Sequence, residues 1–275
     1  MKRISVVTVC FNCVDTIEQT VKSVISQDYP ELEYIIIDGA SQDGTLEIVD
    51  KYQKSITKVL SEPDRGIFDA MNKSLKYVTG EYVLFMNAGD TFVNAHIVSD
   101  VFRDYDGVDD LIYGDDYVLN DLGYMKRYAH AIYERPFTKH DLVFKSQGFS
   151  HQSLFTKTEA LKRVGFCLEY PLGADYHTTY KVFVTGNHKL KYVGFPISVF
   201  DDRNGGASHN GLFLLEIYKE RMSMFKYHIT WKDRYILLLR KCRTNIKYYI
   251  QKTFPGFISL YRIKRRNYLK TFHNA

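Results

Sequence analysis

From Ile4 to Asp90 the chain alternates short β-branched runs with segments of helical period, and that alternation restricts it to a few folds. Ile4–Cys10 reads as a buried strand. Ile17, Val21, Val24 and Ile25 then recur at helical spacing, behind Asp15 and Glu18, which have the separation of a capping box. Glu33–Asp38 is a second buried strand, followed by the turn 39–44 and a helix from Thr45 to about Tyr52. A third strand is expected over Lys58–Leu60. Next come a helix whose buried face carries Met71, Leu75 and Val78, and a fourth strand over Glu81–Met86. This is the pattern of βαβ units around a parallel sheet. Ligands of such sheets bind beyond the carboxyl ends of the strands. Asn12, Asp38, Glu62–Arg65 and Asn87–Asp90 all fall there, so four polar clusters are directed to one edge.

The later pattern is less regular. Leu111–Tyr117, Tyr124–His130, Gln152–Phe155 and Lys191–Phe195 are expected as strands, and Glu159–Val164 as a short helix. Asp175 stands just ahead of a helix through Tyr176–Val184, and Asn204–Gly211 is a glycine-rich loop. From Leu212 the chain is helical, basic and aromatic.

The residue types at the strand ends narrow the chemistry. A carboxylate at a strand end is either a turn or helix-capping residue or a ligand contact; Asp43, directly before Gly44, is the better turn residue, which leaves Asp38 to face a ligand and accept from a base N–H or a ribose hydroxyl. Asp90 follows Asn87-Ala88-Gly89, so the backbone can approach a bound group closely. A carboxylate so placed suits Mg²⁺ or Mn²⁺, which take diphosphate oxygens and water as further ligands; the alternative is a solvated turn residue. Asp115 and Asp116 compete for that role but follow a strand outside the alternating region, and rank below Asp90. Cys10 and Cys13 have the spacing of half a zinc or redox motif; with no second pair they are expected to pack. His151 and His209 are isolated, and His209, in the glycine-rich loop, is a candidate metal ligand.

Other classes are excluded or weakened. No G-x-G-x-x-G follows the first strand, against a nicotinamide-dependent dehydrogenase. A nucleotidyltransferase that makes sugar nucleotides would need a glycine-rich, basic loop there. The apolar run Ile4–Phe11 is too short and too interrupted for a signal peptide, and no run approaches the roughly 18 apolar residues of a membrane span. Four scattered cysteines do not form a disulfide framework, so a cytoplasmic setting is expected.

Charge divides the chain. Residues 1–215 hold 22 Lys and Arg against 29 Asp and Glu, whereas residues 216–275 hold 15 against 3. An acidic body of residues 1–215 is therefore expected with a basic helical region of residues 216–275. Tyr218, Trp231, Tyr235 and Tyr249 are interleaved with the tail's cations, which suits an anionic membrane surface. The alternative is that the tail packs on the body. No nucleic-acid recognition motif is present.

Several segments match a known family in order and spacing. SVVTVCFN (5–12), TVKSVISQ (20–27), YIIIDGASQDGT (34–45), SEPDRGIFDAMNKSL (61–75) and GEYVLFMNAGD (80–90) are followed by SHQSLF (150–155), GADYHTTYKV (173–182) and GGAS (205–208). Together they resemble family 2 glycosyltransferases, in the flavour of bacterial enzymes that build O-antigen, capsule or exopolysaccharide. The resemblance implies an α/β GT-A fold, with a Rossmann-like nucleotide-binding half and a mixed central sheet, plus the C-terminal helical extension. It implies an inverting enzyme that moves a sugar from a nucleotide-sugar, a UDP-sugar foremost, to a saccharide acceptor that is polyprenyl-linked. The setting would be cytoplasmic and peripheral to the membrane, with Mn²⁺ or Mg²⁺ as cofactor. By motif, Asp38 would bind the base, Thr8 and Asn12 would line the nucleotide pocket, and Asp64 and Arg65 would complete it. Asp90 would hold the metal and Asp175 would be the general base. Many members carry Asp-x-Asp-Asp where this chain has Asn87-Ala88-Gly89-Asp90; the carboxylate that often holds ribose is absent, and Asn87 offers a neutral acceptor. A catalytically degenerate protein that only binds sugar nucleotide, or acts as a scaffold, is the alternative reading.

Overall fold

The computed structural model describes residues 1–120, 123–127, 129, 138–144, 150–187, 189–203 and 211–253. The chain divides into two compact units, Met1–Phe137 with Ser146–Arg203, and Thr138–Lys145 with Asn204–Ala275.

The first unit is built on one mixed sheet. β1 (Ile4–Cys10), β2 (Leu32–Asp38), β3 (Lys58–Ser61) and β4 (Tyr82–Phe85) are parallel, in the order β3-β2-β1-β4. β1 is buried at every position and β2 at all but its first, which is why both read as near-continuous apolar runs. The crossovers are α1 (Ile17–Ile25), α2 (Thr45–Asp50) and α3 (Ile67–Ser74). α1 does not use the expected cap. Its N-cap is Thr16, whose side chain makes no capping bond, and Glu18 instead accepts from the Tyr52 hydroxyl at 2.6 Å and pairs with Lys22 at 3.0 Å.

Past β4 the sheet changes direction. β6 (Leu111–Asn120) and β8 (Leu154–Lys157) are antiparallel to each other, β8 is antiparallel to β4, and β9 (Leu190–Asp201) runs parallel to β6. β5 (Thr91–Phe92) closes the edge on β9, and β7 (Gly123–Arg127) pairs with β6. β6 and β9 are longer than sequence periodicity indicates, and the segment before Leu154 is a 3₁₀ turn rather than strand. Asp115 and Asp116 therefore lie inside β6, not after it. Their register against β9 shifts at Tyr113–Asp116, a bulge that lets both side chains be paired within the sheet. α4 (Ile97–Phe102), α6 (Thr158–Val164) and α7 (Ala174–Thr185) complete this unit.

The second unit contains α5 (Lys139–Phe144), α8 (Gly211–Met224) and α9 (Trp231–Thr253). The Phe144 ring packs against Tyr218 and Tyr227 at 5.5 and 5.8 Å, and Arg240 lies over the Tyr218 ring at 5.0 Å. α9 opens with a reciprocal cap. Asp233 accepts from the Thr230 N–H at 2.9 Å, and the Asp233 N–H donates to the Thr230 hydroxyl at 3.3 Å.

Gly114 sits where the bulge brings β6 and β9 together: a Cβ there would lie 2.5 Å from the Phe195 carbonyl oxygen and 2.8 Å from Ile197 Cγ1. Because the nearest atom is backbone, Gly114→Ala should lower the unfolding free energy by about 1–3 kcal/mol, measured by urea denaturation. Unchanged stability would mean that the two strands separate there at no cost.

Candidate functional site

Three loops at the carboxyl ends of β1, β2 and β3 are tied together by one carboxyl group. Asp38 ends β2 fully buried. Its oxygens accept from the Ser41 N–H at 2.9 Å, the Ser41 hydroxyl at 2.5 Å and the Ser61 hydroxyl at 2.6 Å, with the Cys10 thiol at 3.6 Å. Asp43 does serve as the turn residue before α2, whose N-cap is Gly44: it accepts from the Thr45 N–H and hydroxyl, but this does not release Asp38 to face solvent. The two carboxylates organise successive turns of the same loop. Asn12, at φ 46°, staples β1 to it: its N–H donates to Ser41 Oγ at 2.8 Å and its Oδ1 accepts from the Gln42 N–H at 2.9 Å. Ala40 is held at φ 65°, a left-handed conformation that costs a non-glycine residue roughly 1–2 kcal/mol.

What these loops present outward is a different set. A Cβ on Gly39 would lie 2.6 Å from Asp64 Oδ2 and 3.2 Å from Phe11 Cδ2, so the missing side chain opens the place that the Asp64 carboxylate occupies beside the Phe11 ring. Phe11 is 61% exposed. Asp64 Oδ1 accepts from the Gly66 N–H at 2.7 Å, which aims it. Arg65 pairs with Asp69 at 3.2 Å and is otherwise exposed. Thr8 points into the core; it takes the Tyr34 hydroxyl at 2.9 Å and donates to the Met86 carbonyl at 2.8 Å. It holds β4 to β1 one residue before Asn87. Cys10 is buried in the core, and Cys13 packs against the same cluster. A hydrogen bond with Cys13, together with burial, raises the Cys10 thiol pKa and keeps it protonated.

Asp90 and Asn87 occupy the turn after β4. Gly89, at φ 102°, provides the turn. Asp90 is 6% exposed, and burial pushes its carboxyl up to about 8. The Asp201 N–H opposes that shift, the Asp116 and Asp201 carboxylates add to it, and Arg127 opposes it. Asp115 and Asp116 are each matched by a cation, Lys126 at 2.9 Å and the Arg127 guanidinium, whereas Asp90 has no ion-pair partner among the described residues. No trio of His, Cys, Asp or Glu converges to cage a metal among the described residues, and His209 lies outside them. The donor set present nevertheless fits Mg²⁺ or Mn²⁺, which are held by one or two carboxylates and complete their shells with phosphate oxygens and water. It consists of one buried, unpaired carboxyl and, three residues earlier, the buried Oδ1 of Asn87, which has no hydrogen-bond partner.

The other amide atom of Asn87 leads to His151, which sequence reasoning set aside as an isolated histidine. Asn87 Nδ2 lies 2.8 Å from His151 Nε2, and His151 Nδ1 lies 3.8 Å from Asp175 Oδ2. An amide donor on Nε2 places the ring proton on Nδ1, toward Asp175. Burial holds the His151 pKa below the usual histidine value; Asp175 and Asp116 oppose that shift and Arg127 adds to it. Asp175 is in the first turn of α7, where Gly173 is the N-cap; its Oδ1 accepts from the Tyr176 N–H at 2.8 Å, leaving Oδ2 toward the histidine. Phe85, Leu161 and Phe166 wall the space beside this pair. Neither His151 nor Phe11 has a periodic signature. Both lie within segments that match the family, SHQSLF and SVVTVCFN, which is the signal that could have singled them out.

The chain is 34% identical over 102 residues to the UDP-Glc:alpha-D-GlcNAc-diphosphoundecaprenol beta-1,3-glucosyltransferase WfaP of Escherichia coli, covering 37% of this chain and 41% of that protein. It is 28% identical over 174 residues to an uncharacterized glycosyltransferase of Mycobacterium tuberculosis, covering 62% of this chain and 65% of that protein's length. The crystal structure of S. aureus TarS 1–349 in complex with UDP-GlcNAc shares the GT-A fold, with a TM-score of 0.62 at 20% identity over 82% of this chain and 71% of that one. The description of Glycosyl transferase family 2 matches residues 5–165, more than half of the sequence, and the chain belongs to that family.

Proposed function

We propose that this protein is an inverting glycosyltransferase that moves a sugar from a UDP-sugar to a lipid-linked saccharide in surface-polysaccharide biosynthesis. The observation that carries the reading is the Asn87–His151–Asp175 connection, which joins the turn after β4 to a carboxylate at the start of α7 within one site. The name of WfaP, with a diphosphoundecaprenol-linked acceptor and a UDP-linked donor, favours those substrate classes. Among the described residues no helix is long and apolar enough to cross a membrane. A lipid-linked acceptor would bring the enzyme to the cytoplasmic face of the membrane, with the basic C-terminal region against anionic lipid.

In this reading the base of the nucleotide enters between Phe11 and Asp64. The aromatic ring offers a stacking face and the Asp64 carboxylate accepts from a ring N–H. Arg65 changes partner from Asp69 to the donor. Asn12 and Asp38 act from behind, by holding the loop in shape, and Thr8 holds the floor. Asn87 supplies Oδ1 to the donor side, and Asp90 supplies the carboxylate for a divalent cation. That cation, when bound, neutralises the charge that builds on the departing diphosphate. The anomeric carbon becomes oxocarbenium-like as the diphosphate leaves. The acceptor hydroxyl attacks from the opposite face and passes its proton to Asp175 Oδ2. His151, held in one tautomer by Asn87, faces that carboxylate with its Nδ1–H from 3.8 Å and would orient it on closing that gap.

Asp175→Asn should reduce kcat by about 10²–10⁴-fold and leave donor affinity within about twofold, measured by transfer from UDP-sugars and by titration calorimetry. Normal turnover would refute the base. Asp90→Asn should abolish the difference in UDP affinity between Mn²⁺ and EDTA; an unaltered difference would place the cation elsewhere. His151→Ala should lower kcat by about tenfold to a hundredfold at unchanged donor KM, with partial recovery in His151→Gln, whose amide can still accept from Asn87 and donate toward Asp175. A kcat loss that merely tracks a fall in Tm and is not recovered by Gln would show that His151 only packs.

A further inference from the structure

α9 carries two faces. One packs inside its own unit: Asp233 is the buried partner of Thr230 and Tyr227, Ile236 and Leu237 are half-buried, and Arg240 lies over Phe144 and Tyr218. At 3.6 residues per turn these positions share one side. On the opposite side Trp231, Tyr235, Leu238, Leu239, Cys242 and Ile246 fall in a single stripe, about 23 Å long by helical rise. All six are exposed, Trp231 at 74%, Leu238 at 57% and Ile246 at 58%. Water-soluble helices place such a stripe against the core; here the core side is already supplied and the apolar side faces out.

Charge says what covers it. α9 holds seven Lys and Arg against one Asp, and that Asp is the buried cap. The exposed cations flank the stripe: Lys232 and Arg243 follow it along one border, Arg234 and Lys241 along the other. Lys and Arg at the borders of an apolar stripe reach phosphate groups while the stripe sinks between acyl chains, and Trp and Tyr favour that same depth. An anionic protein partner would match the cations and leave the apolar centre unexplained. A second copy would match the apolar centre and oppose cation to cation.

We infer that the outward face of α9 is an in-plane docking surface for an anionic lipid bilayer, with Trp231, Tyr235, Leu238 and Ile246 entering the acyl boundary and the flanking Lys and Arg meeting lipid phosphates. This deepens the placement of the enzyme at the membrane. It rests on the transferase reading only for the identity of the lipid-borne acceptor, because lipid binding needs neither donor nor acceptor.

The test uses the full chain and its single tryptophan, which lies on this face. On mixing with vesicles of phosphatidylglycerol and phosphatidylcholine, the protein should co-float and the Trp231 emission should shift to the blue. Both effects should be absent with phosphatidylcholine alone and should weaken as salt rises. Leu238→Ser combined with Ile246→Ser should lower partition by at least about tenfold. Quenching of Trp231 by brominated lipid in the unaltered chain reads the same insertion without relying on the variant to fold. Co-flotation without a blue shift, or a double variant that folds and binds like the parent, would overturn the assignment of this face. A blue shift that grows with protein concentration in the absence of vesicles would overturn it in favour of a second copy. Thermal-shift titration with UDP-sugars in the same samples reads the transferase proposal separately, so either can fail alone.

Discussion

A carboxyl group without access to water must be satisfied by the protein around it, since burying a charge or an unpaired polar group costs several kcal/mol. Asp38 is such a group, placed where β1, β2 and β3 end. Its acceptance of Ser41, Ser61 and Cys10 pulls three loops into one rim. The Ser41 hydroxyl passes the constraint on to the Asn12 backbone, and Asn12 passes it to Gln42. The left-handed Ala40 is tolerated because these bonds over-determine the turn. Residues that face outward, Phe11 and Asp64, are thereby positioned by residues that face inward. A polar residue at a strand end can therefore serve a ligand without touching it.

The second constraint runs the other way, from the edge of the parallel half to the antiparallel half. β8 pairs with β4 and delivers the turn that carries His151 beside Asn87, while α7 starts with Asp175 on the far side of the ring. A histidine with an amide donor on one nitrogen has its tautomer decided, and only then can the other nitrogen present a proton to a carboxylate. Phe85, Leu161 and Phe166 keep water from one side of the pair, which strengthens each polar contact in it.

Legibility followed the source of each signal. β1, β2 and β4 were readable because strands buried on both faces leave long apolar runs, and α1 because its amphipathic spacing survives in isolation; α3 was read too far along the chain, since it ends at Ser74 with Leu75 as C-cap and Val78 beyond it, and of the expected face only Met71 lies within the helix. α4 and α5 were not readable, being too short to show a period, and the length of β9 is set by its pairing with β6. Capping chemistry misled locally. Asp15 and Glu18 have the right separation, yet Glu18 found Tyr52, while Thr138 with Asp141 and Thr230 with Asp233 form reciprocal caps that drew no notice. In the site, the sequence located the strand-end clusters, but it did not tell which carboxylate looks inward. Asp38 is buried as the last residue of the central strand β2, whereas Asp64 is half-buried in the loop after β3, beside the space that Gly39 leaves open.

The same distinction separates Asp90 from its acidic neighbours. Asp115 and Asp116 are more conspicuous as a pair, but a cation already answers each of them: Lys126 and Arg127 arrive on β7 in register with β6. Asp90 is also buried but has no ion-pair partner among the described residues: burial and two carboxylates raise its pKa, against a backbone N–H and the more distant Arg127 charge. In the function proposed for this chain, leaving one buried carboxyl without a counter-ion while pairing its acidic neighbours would direct a cation to that group. Placing that demand after the Gly89 turn, where the chain has no side chain to interpose, lets the charge be met from outside the protein. Net acidity therefore does not identify the position; the pairing of each carboxylate does.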